Sequence, residues 1–209
     1  MAKGPDEVVA EIGTTRITQR ELSCLEGEEW LTDPVMDTYL SLITTRNREQ
    51  EGYPSVYSFR STFYTLLSAK DGIKNTQETT QNENILSYDI ILFPACVCHH
   101  WRMIVVKPQE KTIEAYNSLE SKDLQICLNI QRFMCKEEEM HGRMKSQWDI
   151  KFVKDIPQQG NSNDCGPFAL TYAEYLARGQ NQFDFLQEHI PYFRKRMMYE
   201  IISGRLLGR

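Results

Sequence analysis

The sequence predicts an α+β fold in which helices flank a central run of strands. Apolar residues recur at helical spacing before residue 70, β-rich runs crowd residues 88–118, and helical spacing dominates again after residue 165. Residues 16–43 read as an extended piece, a turn and a helix. In the helix, Val35, Met36, Tyr39, Leu40 and Ile43 share one face, with Asp33 as N-cap and Pro34 at the first helical position. Residues 61–69 predict a second short helix, and the polar stretch 70–86 an exposed loop. The apolar run 88–94, ended by proline, reads as a buried strand. Runs 101–107 and 111–118 form a predicted hairpin across Pro108, Gln109 and Glu110. Residues 121–135 return to helical spacing, with Leu124, Cys127, Leu128 and Met134 on one face. Residues 149–156 alternate as a half-buried strand, a core-facing helix begins at Cys165, and 181–203 is largely helical.

Composition narrows the function classes. With 209 residues, 41% hydrophobic and 25% charged, the chain suits one domain over 1–209 with a sizeable core. A formal net charge of −5 disfavours nucleic acid as the main partner. No apolar stretch reaches the roughly 18 residues of a membrane span. Asp6, Glu7, Glu11 and Glu21 interrupt any secretory signal. Six cysteines at irregular spacing indicate free thiols in a reducing compartment, cytoplasm or nucleus. A monomer is expected.

The chemistry concentrates in three segments. In IPQQGNSNDCGPFALTYAEYLA (156–177), Cys165 falls at the first turn of the predicted helix, where free amides and the helix dipole favour a thiolate. Asp164 is a natural N-cap, Gly166 leaves room for a substrate backbone, and Gln158 or Gln159 supplies an oxyanion donor beside the Cys165 amide. The plainer reading is a buried structural cysteine at a capped helix start. In CHHWRMIVVK (98–107), His99 or His100 offers the imidazole that a nucleophilic thiol requires. Cys96, Cys98, His99 and His100 also lie within five residues, but strand alternation parts them and no second ligand pair completes a metal site, so neither metal nor cofactor is expected. In IEAYNSLE (113–120), an amide or carboxylate can orient that imidazole, although Asn117 alone is an ordinary turn residue.

Taken together, His100-Trp101, then Tyr116-Asn117-Ser118-Leu119, then Pro157-Gln158-Gln159 through Asp164-Cys165-Gly166 resemble the signature of the Ulp/SENP cysteine proteases. Residues 17–43 and 57–67 are similar to that family's upstream segments, so the resemblance runs over roughly 15–180. It implies a papain-like fold, a central mixed sheet flanked by helices with the nucleophile opening a core helix. It further implies that Cys165 attacks, His100 is general base and acid, and Gln159 helps hold the oxyanion. Trp30 and Trp101 would clamp the Gly-Gly tail of a ubiquitin-like modifier (SUMO foremost, otherwise a Nedd-type tag or ubiquitin), and Asp33 would touch the modifier. The plainer reading of both tryptophans is core packing, which the resemblance makes a poorer fit for Trp101 than for Trp30.

Two departures stand out. The family's triad aspartate is Asn117 here, expected to accept the His100 Nδ1–H through its carbonyl; if it does not, a nearby acid such as Glu114 or Glu120, or no residue at all, fills that role. On these grounds Asn117→Asp should hold turnover equal or raise it. Residues 70–86 lack the aromatic and basic stretch of many desumoylating relatives. A catalytically weak modifier-binding module and a clan-related acyltransferase are the competing functions.

Overall fold

The computed structural model describes residues 4–121 and 123–208. Strands β1 (Val8–Ile12) and β2 (Thr15–Thr18) form an antiparallel hairpin, followed by a single helical turn, α1 (Gln19–Leu22), and the long α2 (Asp33–Glu49). A five-stranded mixed sheet then assembles in the order β3 (Val56–Ser58), β4 (Ile90–Val97), β5 (His100–Lys107), β6 (Thr112–Tyr116) and β7 (Asp149–Phe152). Its outer pairs are parallel and its inner pairs antiparallel. Helices α3 (Phe63–Ser68), α4 (Gly72–Thr76), α5 (Leu124–Met140), α6 (Cys165–Ala177) and α7 (Ile190–Ser203) complete the chain.

The apolar runs of β4 and β5 are continuous because both faces of the sheet are covered. Leu92, Trp101, Met103 and Val105 point into a core shared with α2, α6 and α7. Ile91, Phe93, Ile104 and Val106 point into a second core beneath α3 and α5. There Phe59, Phe63, Phe93 and Phe133 interlock, with Phe59–Phe63 and Phe59–Phe93 centroids 3.9 and 4.5 Å apart. Truncating one such ring costs about 3–5 kcal/mol, so the sheet is a stiff platform. Every residue of α6 is buried, which fixes its first turn, and hence Cys165, against the start of β5.

Several boundaries differ from expectation. Thr32, not Asp33, caps α2, its carbonyl accepting from Met36 N–H at 3.0 Å, and Asp33 is the first helical residue. Pro94 lies inside β4, opposite Met103, instead of ending it. It is tolerated because β3 pairs only as far as Leu92, leaving that side of β4 without a strand where the proline lacks its donor. Residues 70–86 are not an open loop. They hold α4 and short 3-10 turns, with Thr76, Thr80, Ile85 and Leu86 buried, and the Thr80 hydroxyl donates to Glu137 at 2.8 Å. Helix α5 starts at Leu124, which is exposed. Its buried face is Ile126, Cys127, Ile130, Phe133 and Met134. In the tail, regular α-helix begins only at Ile190.

Candidate active site

Cys165 opens α6 as expected, with its thiol buried. The backbone amides of Trp101, Gly166 and Cys165 itself point at the sulfur and Arg102 lends positive charge, all of which favour thiolate. Burial is the larger influence, however, and its net effect pushes the thiol above its ordinary value of 9.0, the reverse of the helix-terminus expectation. The contact with the Trp101 amide also places the thiol one residue from His100.

His100 is set by the β4–β5 turn. Val97 pairs with His100, so Cys98 and His99 are the two central residues of the hairpin loop, both left-handed at φ 52° and 58°. Two positive φ values match the twist of tight hairpins, at a cost of about 1–2 kcal/mol for each non-glycine residue. They are therefore not alternating strand residues, as the sequence suggested. Among the described residues no group of three or more His, Cys, Asp or Glu side chains is placed to hold a metal.

His100 meets Asn117 through Nε2, 2.7 Å from Oδ1, and not through Nδ1 as the sequence reading expected. Since Oδ1 can only accept, Nε2 carries the proton and Nδ1 is the free base of the neutral ring. The amide cannot turn over: Nδ2 donates to Ser121 Oγ at 2.7 Å and to Asp123 Oδ2 at 2.8 Å, and Oδ1 also accepts from Leu119 N–H at 2.9 Å. Asp123 in turn accepts from Arg102 Nε at 2.5 Å, and Arg102 Nη1 donates to the carbonyls of Val97 and His100. Burial lowers the His100 pKa below 6.5, assisted by Arg102 and opposed by the Asn117 bond and by Asp123. Neither acid named from sequence is involved: Glu114 pairs with Lys107 at 3.0 Å and accepts from the Tyr116 hydroxyl, and Glu120 is exposed. Asp123 escaped notice because an aspartate opening a helix looks like an N-cap, yet neither of its oxygens caps α5.

The two glutamines separate cleanly. Gln158 Nε2 is turned to the carbonyls of Asn117 and Ile156, each at 3.2 Å. Gln159 is buried, its carbonyl accepting from Ser118 Oγ at 2.6 Å and its amide donating to Asn161 O at 2.6 Å, which leaves one N–H for a ligand. Asp164 stands at the N-cap position, but its carboxylate engages Arg194, Asn161 and Gln187 instead of the helix amides.

The tryptophans reverse the expected ranking. Trp30 is 50% exposed, donates to Ser162 O at 2.8 Å and stacks on His99 at 5.6 Å between centroids. Trp101 is 4% exposed and donates to Leu31 O at 3.0 Å. Strand alternation sends Trp101 into the core under α6, whereas Trp30 sits in an irregular segment with no such constraint. A Cβ at Gly166 would lie 2.7 Å from Leu31 Cβ and Cγ, so the space there is taken by this chain's own Leu31 and not left for a substrate. Asp33 is exposed and faces a cleft of about 340 Å³ with Arg16, Asp37, Arg60 and Thr62; burial and Asp37 raise its pKa.

Comparison with known proteins gives the family and the fold. A family profile described as the Ulp1 protease family, C-terminal catalytic domain, matches residues 29–206. A sentrin-specific protease of Caenorhabditis elegans is 34% identical across 98% of this chain and 29% of its own length. Human sentrin-specific protease 2 is 31% identical across 99% of this chain and 36% of its own. This chain therefore belongs to the Ulp1 protease family, and it spans about a third of the length of those curated relatives. The Ulp1 protease domain solved in complex with Smt3, the yeast ortholog of SUMO, superposes with a TM-score of 0.83, at 21% identity over 97% of this chain and 90% of that one. The Chaetomium thermophilum Ulp1-like SUMO protease catalytic domain gives 0.81, at 21% identity over 99% and 86%. The fold is that of these protease domains.

Proposed function

We propose that the chain is a cysteine peptidase that cuts after the C-terminal glycines of a SUMO-type modifier, in precursors or conjugates. The observation that carries this reading is the His100 Nε2–Asn117 bond, which leaves Nδ1 as the free base on the residue next to Trp101, whose amide points at the Cys165 sulfur. Nδ1 takes the proton of Cys165 while the sulfur attacks the last glycine carbonyl. The resulting oxyanion is held by the Cys165 amide and the remaining Gln159 N–H. The imidazolium returns its proton to the departing amine as the C–N bond breaks, leaving a thioester. Water, deprotonated by His100, then hydrolyses the thioester and frees the thiol.

The modifier assignment rests on the curated relatives' names and on the Smt3-bound neighbour. Trp30 and Trp101 would flank the glycine tail, and Asp33, with Arg16 and Arg60 around it, would meet the body of the modifier. None of the six cysteines is in a disulfide, and Cys96 and Cys98 are exposed, which suits a reducing compartment, cytoplasm or nucleus. Among the described residues no helix is long and apolar enough to cross a membrane.

The test is covalent capture with SUMO, a Nedd-type modifier and ubiquitin, each bearing a thiol-reactive C-terminus. The expected result is an adduct on Cys165 with SUMO that Cys165→Ala abolishes without losing SUMO binding. Binding without an adduct would replace the protease by a modifier-binding module. Absence of both would leave the acyltransferase reading.

A further inference from the structure

We propose that Asp123 is a positioning residue, holding the Asn117 amide so that its oxygen, and not its NH₂ group, faces His100. The inference rests on the peptidase reading of the site.

An amide is a poorer relay member than a carboxylate because its two ends look alike to packing but opposite to a hydrogen-bond partner. If it turned over, the NH₂ group would confront the His100 Nε2–H, donor against donor, and the ring would lose its orientation. Ser121 cannot prevent this, since a hydroxyl donates as readily as it accepts, and the Leu119 N–H opposes it only from the oxygen side, at 2.9 Å. Asp123 can, because a carboxylate only accepts, and Oδ2 stands 2.8 Å from Nδ2. Asp123 is itself fixed: it is 6% exposed and Arg102 Nε anchors its other oxygen at 2.5 Å. Arg102 also grips the carbonyls of Val97 and His100, so one guanidinium ties the His100 backbone to the group that orients its side chain. That neither Asp123 oxygen caps α5, where aspartate ordinarily does so, shows that this carboxylate is committed elsewhere. The charged groups acting on His100 are Arg102 from β5 and Asp123 from the start of α5, opposite in sign.

This arrangement changes the sign expected for Asn117→Asp. A second carboxylate 2.8 Å from Asp123 would leave one of the two protonated or displaced, so restoring the family's residue should weaken the site. The remedy is to exchange the pair. In Asn117→Asp/Asp123→Asn, the new amide donates to the new carboxylate while its oxygen still accepts from Arg102.

The experiment is a double-mutant cycle read by kcat/KM on a SUMO substrate and by NMR titration of the His100 ring. Asp123→Asn and Asn117→Asp should each lower kcat/KM by roughly 10- to 100-fold. The exchanged pair should recover to within about threefold of wild type. Asp123→Asn should also move the His100 titration to lower pH, because the charge that favours imidazolium is gone. Wild-type kcat/KM and an unmoved titration in Asp123→Asn, or no recovery in a folded exchanged pair, would overturn the proposal. If wild type does not turn over SUMO, the peptidase reading fails, and the titration still decides whether Asp123 sets the ring.

Discussion

Arg194, on the last helix, holds Asp164, the residue before Cys165, through Nε and Nη2 at 2.9 and 2.7 Å. The same guanidinium donates to the carbonyls of Cys24, Glu29 and Asn163, and the Asn163 side chain donates to Glu28 O. One buried cation therefore joins the loop leading into the nucleophile to the segment leading into Trp30. Arg194→Ala would leave the Asp164 carboxylate buried without its counter-charge, Oδ1 losing both Arg194 donors while Asn161 and Gln187 still serve Oδ2. Removing one partner of a buried pair costs about 3–5 kcal/mol, a fall in Tm on the order of 10 °C for a chain of this size. Arg194→Lys keeps the charge but loses the fork, so its melting should fall between the two. An unchanged Tm in Arg194→Ala would refute the anchor.

The pH dependence follows from two opposed shifts. Burial raises the Cys165 pKa above 9.0, so in the resting protein the thiol ionises late and its alkylation should climb steadily from pH 6 to 9. Burial lowers the His100 pKa below 6.5, so the ring stays a neutral base to lower pH than a free imidazole. The acid limb of kcat/KM should accordingly lie below pH 6.5. Site-resolved mass spectrometry of iodoacetamide labelling separates Cys165 from the exposed Cys96 and Cys98. Labelling of Cys165 that is already level between pH 6 and 8 would mean a resting thiolate–imidazolium pair, contrary to this account.

Much of the site was legible because its chemistry is local. Cys165 at a helix start, His100 at a strand start and Gln159 six residues before the cysteine each sit in a short segment, and the first two open α6 and β5 as those segments implied. What escaped the sequence depends on long-range geometry. Which imidazole nitrogen meets Asn117 depends on how β5 and β6 register. The Trp30–His99 stack depends on a two-residue turn built without glycine, which carries no turn signal. The raised thiol pKa reflects the packing of α6, and helix-terminus reasoning contains no term for that burial. Asp123 and Arg194 were hidden for a related reason: each resembles an ordinary helix residue until its distant partner is known.

Trp30 and Trp101 should separate in their effects. Trp30→Ala removes a half-exposed ring that bonds Ser162 O and stacks on His99, so Tm should change by no more than a few degrees while cleavage falls strongly. Trp101→Ala empties a core position and should cost about 3–5 kcal/mol as well as activity. A short Gly-Gly fluorogenic peptide should suffer in both variants, because the proposed clamp acts on the tail itself. Unchanged peptide hydrolysis in Trp30→Ala, with full SUMO cleavage, would remove Trp30 from the substrate path.

Gly166→Ala tests how tightly α6 is wedged against the segment that carries Trp30. A methyl there would sit 2.7 Å from Leu31 Cβ and Cγ and 2.9 Å from Cδ1. Leu31 cannot simply swing away: it is buried, and its carbonyl accepts the Trp101 indole at 3.0 Å. Nor can α6 retreat, since every one of its residues is enclosed. Alanine is favoured over glycine by about 1 kcal/mol in a helix interior, and less than that in a first turn. Overpacking a closed site costs about 1–3 kcal/mol, so the steric effect should win and Gly166→Ala should be less stable than wild type. Activity should fall further than stability, because the displaced Leu31 lies between Trp30 and α2 and moves the rim of the site with it. Leu31→Ala removes Cγ and Cδ1 and frees the remaining Cβ to shift. Combined with Gly166→Ala it should therefore show favourable coupling of at least about 0.5 kcal/mol. Thermal melts of the two single variants and the double, with SUMO cleavage alongside, measure both effects. Additive losses, or a Gly166→Ala protein as stable and active as wild type, would show that α6 and Leu31 have room to spare.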